Sequence, residues 1–182
     1  MRESLRLMLR ELRVDDAVER DGLERMRRLL EGAGDPLSRE HYVPGHFTAS
    51  AFVLSPARNA VLLIYHTKLR RWLQPGGHIE ATDRTPWGAA RREVIEETGL
   101  MDFELADGDA ARGGPIAPTI FDVDVHEIPA RKSEPAHLHH DLRFLFVSRS
   151  LEVRAGDGVE ATRWVELDEV GAIDSDASVM RA

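Results

Sequence analysis

Residues 76 to 100, GGHIEATDRTPWGAARREVIEETGL, decide how this chain is read. A Pro75-Gly76-Gly77 break leads into a helix whose ends are marked by residue type. Thr85 is placed to cap it, Pro86 suits its first position, and Gly99 closes it. Near its end stand Glu93, Glu96 and Glu97. Like charges at this spacing repel by roughly 0.2–0.5 kcal/mol per pair on a solvated helix. At about 100° per residue, Glu93 and Glu97 lie about 40° apart and Glu96 about 60° to the other side, with Ala89 leaving room on the same face. Ala90, Val94 and Trp87 form a separate apolar stripe suited to packing on a sheet. The carboxylate patch either stands in solvent or meets a positive charge. Hard cations such as Mg²⁺ and Mn²⁺ prefer such ligands, and glycines upstream let a backbone carbonyl come close.

The surrounding segments alternate short β-rich runs with turns. FTASAFVL (47–54) and AVLLIYH (60–66) read as strands around the turn-like SPARN, and TIFDVDVHEI (119–128), HLHHDLRFLFV (137–147) and RWVEL (163–167) read as further strands. Residues 107–114 read as a Gly-rich loop, and DEVGAI begins a short helix with Asp168 as its cap. Ahead of all this, residues 4–13 and 15–31 carry leucine and methionine at helical spacing, with Asp15 or Asp16 as N-cap of the second helix. These helices read as a packing or homodimer-forming extension.

At 182 residues the chain can bury a real core, and 42% hydrophobic with 31% charged residues is an ordinary globular composition. No apolar run approaches the ~18 residues of a membrane span. The N-terminus MRESLRLMLRELRVDD lacks the apolar core of a signal peptide, so a cytoplasmic protein without membrane association is expected. The absence of cysteine excludes disulfides, thiolate catalysis and Cys-based zinc sites. A net charge of −8 argues against nucleic acid as the main partner. Small anionic substrates remain compatible with it, because a cation held by carboxylates inverts the local sign.

The opening stretch resembles the Nudix box, G-x5-E-x7-R-E-U-x-E-E-x-G-U, where U is a bulky apolar residue. Arg92, Glu93, Val94, Glu96, Glu97, Gly99 and Leu100 match its second half throughout. The first half departs. Counted forward from Gly77, Asp83 occupies the first glutamate position, with eight residues rather than seven before Arg92. Counted back from Arg92, the two positions are His78 and Arg84. One extra residue in the loop, with Asp83 as a shortened substitute, accounts for both counts. The resemblance is specific over residues 76–100 and looser over about 46–170.

The resemblance implies an α/β (α+β) fold, a Nudix-like α/β/α sandwich with a mixed sheet over 41–182 behind a helical extension over 1–40. It implies Mg²⁺-dependent (or Mn²⁺-dependent) hydrolysis of a diphosphate linkage in a nucleoside diphosphate-X or other nucleotide substrate. Glu93 and Glu97 would ligate metal directly, Glu96 directly or through water, and the Gly77 carbonyl would complete the set. Arg92 would brace a glutamate as an outer partner. The general base is a box glutamate, Glu96 or Glu97, or a carboxylate from another segment. Glu80 matches a position often acidic in the family, with a structural role and a catalytic or substrate-binding one equally open.

Outside the box, His137, His139, Asp141 and Arg143 share one face of a strand, which lines either a site or solvent. His139 and Asp141 are candidates to bind substrate, act as base or reach a metal, and Arg143 to clamp a phosphate. The H-x-H spacing can ligate zinc, but no further ligand set is apparent beside it. Asp122, Asp124 and His126 are expected in solvent, opposite a core of Phe121, Val123 and Val125. Lys68, Arg70 and Arg71 form a phosphate-contacting cluster or plain surface charge, and His46, His66 and Tyr42 carry too little signal to assign. Against the hydrolase stands a non-catalytic nucleotide-binding sensor or interaction domain of the same fold. Loss of box carboxylates would mark a sensor, and all three are present.

Overall fold

The computed structural model describes residues 1–106, 119–131, 133–175 and 177–182; the Gly-rich loop read at 107–114 lies outside them. Two long strands form its spine. β1 (Gly45–Leu54) and β7 (His137–Ser148) run parallel from Gly45↔Leu138 to Leu54↔Val147. β4 (Gly76–His78) pairs antiparallel with the other edge of β1. β6 (Asp122–Ile128) and β5 (Phe103–Leu105) pair antiparallel with β7. β2 (Ala60–His66) meets β1 at Leu54↔Val61 and carries β3 (Arg71–Leu73) and β8 (Val159–Glu166). The result is a mixed, curled sheet.

Each face buries its own apolar cluster. On one side Phe47, Ala49, Ala51 and Val53 of β1 and Leu142, Phe144 and Phe146 of β7 pack with Ala89, Ala90 and Val94 of α3 (Pro86–Thr98). The helices α1 (Arg2–Glu11) and α2 (Ala17–Glu31) join this cluster through Leu5, Leu9, Leu23, Met26, Leu29 and Leu30. On the other side Phe52, Leu63 and Val165 pack with Val179 of α4 (Ala177–Arg181). The order helix–sheet–helix is the expected α+β sandwich. Among the described residues no helix is long and apolar enough to cross a membrane.

Local signals placed α2 and α3 as expected. Asp16 caps α2, accepting from the amides of Val18 and Glu19 at 2.9 and 3.1 Å. Thr85 accepts from the Gly88 amide at 3.0 Å, and Gly99 closes α3 in the left-handed region at φ 63°. Ala89 leaves no room above it, since it is fully buried. Directly after β8, at the expected helix start DEVGAI, the chain makes a 3-10 turn over Val170–Ala172, whose N-cap position is Glu169, not Asp168, without a side-chain cap bond.

Candidate metal centre

Everything about the carboxylate patch depends on how closely β4 approaches α3. Gly76 sits opposite Ser50, where a Cβ would come within 2.3 Å of the Ser50 Cβ. Gly77 sits opposite Ala49, and a Cβ there would lie 2.5 Å from Glu93 Oε1. The two glycines therefore let the backbone lie directly against the glutamates. The Gly76 amide donates to Glu97 Oε2 at 3.0 Å. Glu97 is 9% exposed, and its pKa is pushed up to about 8 by burial, against the Gly76 hydrogen bond and reinforced by Glu93 and Glu96. Glu93 is also raised by burial, partly offset by Arg92, with Glu96 and Glu80 adding to the negative field.

Arg92 organises the rest. Its Nη1 donates to Glu93 Oε1 at 2.8 Å and Glu96 Oε2 at 2.9 Å. Its Nη2 donates to the His78 carbonyl at 2.9 Å. Nε and Nη2 together hold Asp83 as a two-point ion pair at 3.2 and 3.1 Å. Burial opposes the Arg92 charge, yet Asp83 and Glu93 outweigh it and hold the guanidinium above its ordinary pKa. Asp83 in turn accepts from the Glu80 amide at 2.8 Å, which folds the loop into a turn. The departure in the first half of the box thus has a structural meaning. One extra loop residue lets an aspartate reach Arg92, with the turn making up for the shorter side chain.

The other expected residues fall elsewhere. Asp141 is buried on the sheet face away from α3, where it accepts from Thr48 Oγ1 at 2.9 Å and Ser50 Oγ at 2.6 Å. Arg143, 1% exposed, is enclosed by Asp122, Asp124 and Asp141 at 2.7, 3.4 and 3.2 Å and by Ser178 Oγ at 2.8 Å. The guanidinium expected to clamp a phosphate is held inside the protein. Asp122 and Asp124, expected in solvent, are buried at 3% and 6% exposure because Arg143 faces them across the β6–β7 pair, while Phe121 is exposed. Arg71 opens β3 at an exposed position opposite His66. Glu80 is exposed and near Glu93.

His139 lies directly opposite His46 in the β1–β7 register, and His78 lies opposite Thr48 across β1–β4. One potential ligand nitrogen from each of these three histidines falls within 4.8 Å of the others. Burial and the neighbouring charges depress all three, His46 and His78 to about 4 and His139 to about 2. Their convergence is set by strand register over a sequence separation that no local pattern reports, although GHF, GGH and HLH each carry a histidine at the point of contact.

A family model described as NUDIX domain matches residues 44–182. The chain belongs to the NUDIX family. Among solved structures, a NUDIX-family hydrolase from Clostridium perfringens is 24% identical with a TM-score of 0.58, over 79% of this chain and 93% of that one. The NUDIX domain of Shewanella oneidensis NrtR, complexed with ADP ribose, is 14% identical with a TM-score of 0.52, over 74% and 81% of the two chains. A C. elegans Ap4A hydrolase is 16% identical with a TM-score of 0.50, over 73% and 88%. At these identities the structural likeness establishes the fold. No curated protein matches the chain.

Proposed function

We propose that this NUDIX protein hydrolyses a diphosphate linkage in a nucleoside diphosphate-X or related nucleotide, using a divalent cation held at the α3 patch. The observation that carries the reading is the crowding of Glu93, Glu96 and Glu97 beside a glycine backbone. There burial and mutual repulsion raise Glu97, a cost that a bound cation would relieve. The donor set, three carboxylates and the Gly77 carbonyl, is all oxygen and fits Mg²⁺ or Mn²⁺. When bound, such a cation neutralises the diphosphate and lowers the pKa of attacking water.

The chain's own residues then have distinct tasks. Glu93 and Glu97 hold charge against β4, one braced by Arg92 and the other by the Gly76 amide. Glu96 has the most accessible of the three carboxylates, its side chain 55% exposed, which suits it to receive a proton from water at the patch. Arg92 positions Glu93 and Glu96 and is itself fixed by Asp83. Asp141 supports the sheet behind the patch through Thr48 and Ser50 rather than acting on the substrate.

A panel of nucleotide sugars, ADP-ribose, dinucleoside polyphosphates and nucleoside triphosphates, with phosphate release read through a coupled phosphatase, tests the reading. Turnover of at least one compound that requires Mg²⁺ or Mn²⁺ is expected. Tight nucleotide binding without turnover of any would establish the sensor instead.

A further inference from the structure

Strand pairing produces a second cluster of potential ligands that the α3 patch does not use. Phe47 and Leu142 pack towards α3, and a Cβ on Gly77 would strike Glu93, so that face of β1, β7 and β4 belongs to the carboxylates. Side chains alternate along a strand, so His46, His139 and His78 project from the opposite face. Their rings sit together, with centroids 4.8 Å apart for His46–His139, 5.1 Å for His46–His78 and 5.2 Å for His78–His139.

We propose that His46, His78 and His139 form a nitrogen-donor metal site, distinct from the carboxylate patch, which takes a borderline transition metal such as Zn²⁺ and leaves one coordination position open. Imidazole nitrogen suits Zn²⁺, Cu²⁺ or Ni²⁺, whereas Mg²⁺ prefers oxygen. Three histidines with a free fourth position is an established arrangement for zinc. The individual nitrogens support it. His46 is 1% exposed, and its Nδ1 donates to the His41 carbonyl at 3.3 Å, which leaves the Nε2 lone pair available for ligation. Such a bond from the non-ligating nitrogen orients and strengthens a ligand histidine. His46 Nε2 and His139 Nε2 are both buried without a hydrogen-bond partner. An unsatisfied buried polar atom is destabilising, and a metal would satisfy both.

Ligation at ~2.1 Å per nitrogen sets nitrogen separations near 3.4 Å in a tetrahedral site, so the 4.8 Å envelope closes by small side-chain rotations. His137 stacks on His46 at 4.9 Å with Tyr42 edge-on to it at 5.1 Å, and they wall the cluster on one side. His78 and His139 are only partly buried, which gives an ion a way in from solvent. The two sites meet at β4, where Gly77 serves the carboxylates and His78 the histidines. The inference does not depend on the hydrolase reading, and each can fail without the other.

The test is Zn²⁺ binding to the full-length, chelator-stripped protein at pH 7.5, by competition with a chromogenic chelator, with the visible spectrum of bound Co²⁺ as a second readout. One equivalent of Zn²⁺ at micromolar or tighter Kd is expected, undisturbed by millimolar Mg²⁺, with Co²⁺ bands of a low-coordinate nitrogen site. The same should hold in an E93Q/E97Q double variant. His139→Ala and His78→Ala should each weaken Zn²⁺ binding by on the order of 100-fold or more while circular dichroism stays native. Wild type that fails to bind Zn²⁺ below ~100 µM would overturn the site. So would loss of the Zn²⁺ site in E93Q/E97Q with retention in the histidine variants.

Discussion

Glu97→Gln separates catalytic value from structural cost at one residue. The side chain is 9% exposed, and its pKa rises from 4.5 to about 8 because burial and the charges of Glu93 and Glu96 outweigh the Gly76 amide. The folded protein therefore holds a proton that the unfolded chain releases between those values. In the metal-free protein this stabilisation is fully present below pH 4.5 and is lost as pH rises through about 8. At ~1.4 kcal/mol per pH unit the ceiling on the loss is about 5 kcal/mol. Glutamine keeps an acceptor for the Gly76 amide and never ionises. The variant should therefore be more stable than wild type at pH 8–9 in chelator and nearly equal to it at pH 5. Even 1 kcal/mol corresponds to ~2–4 °C in Tm for a chain of this size, well within reach of thermal melts across pH. Saturating Mg²⁺ should raise the wild-type Tm at pH 8, by about 2.7 kcal/mol of stability at 100 times Kd, and raise the variant far less. Turnover should fall at least ~100-fold, beyond the 10–100-fold typical of losing an outer partner of a ligand. Parallel pH–Tm curves for the two proteins with an equal Mg²⁺ response would refute both the burial argument and the ligand assignment.

Other substitutions probe the supporting shell. Asp83→Ala removes the two-point anchor of Arg92 and should lower kcat by ~10–100-fold with an intact fold; steady-state kinetics with a circular dichroism control decides it. Gly77→Ala drives a Cβ into the Glu93 carboxylate, so Mg²⁺ affinity by calorimetry should drop while the protein still folds. Gly76→Ala collides with the Ser50 Cβ at 2.3 Å and Cα at 2.7 Å, and should cost about 1–3 kcal/mol in urea unfolding. Arg143→Met leaves Asp122 and Asp141 buried without their cation, while Asp124 keeps Arg181 at 2.8 Å; about 3–5 kcal/mol of stability should be lost, and unchanged urea unfolding would discount the network.

Much of the α3 region was legible in the sequence because its determinants are local. Thr85, Pro86 and Gly99 act on the backbone within a few residues of themselves, and a 3.6-residue period puts Glu93, Glu96 and Glu97 on one face wherever the helix lies. The pairing of Asp83 with Arg92 was half visible. Counting residues showed that the loop departed from the pattern, but only the Glu80–Asp83 turn shows that the shorter acid still reaches the guanidinium.

The sheet hid what the helix disclosed. Period-two alternation gave Asp122 and Asp124 a common face without saying which face was wet, and a buried arginine from the neighbouring strand made that face interior. His46 and His139 stand 93 positions apart, and an offset of one residue in the β1–β7 register would send one of them to the α3 side. Helix caps, box carboxylates and the glycines that admit them follow from short-range sterics and charge, which sequence order preserves. Which face of a strand is buried, and which histidines meet across it, depends on long-range pairing and on what packs above the sheet, and only the tertiary structure decides that.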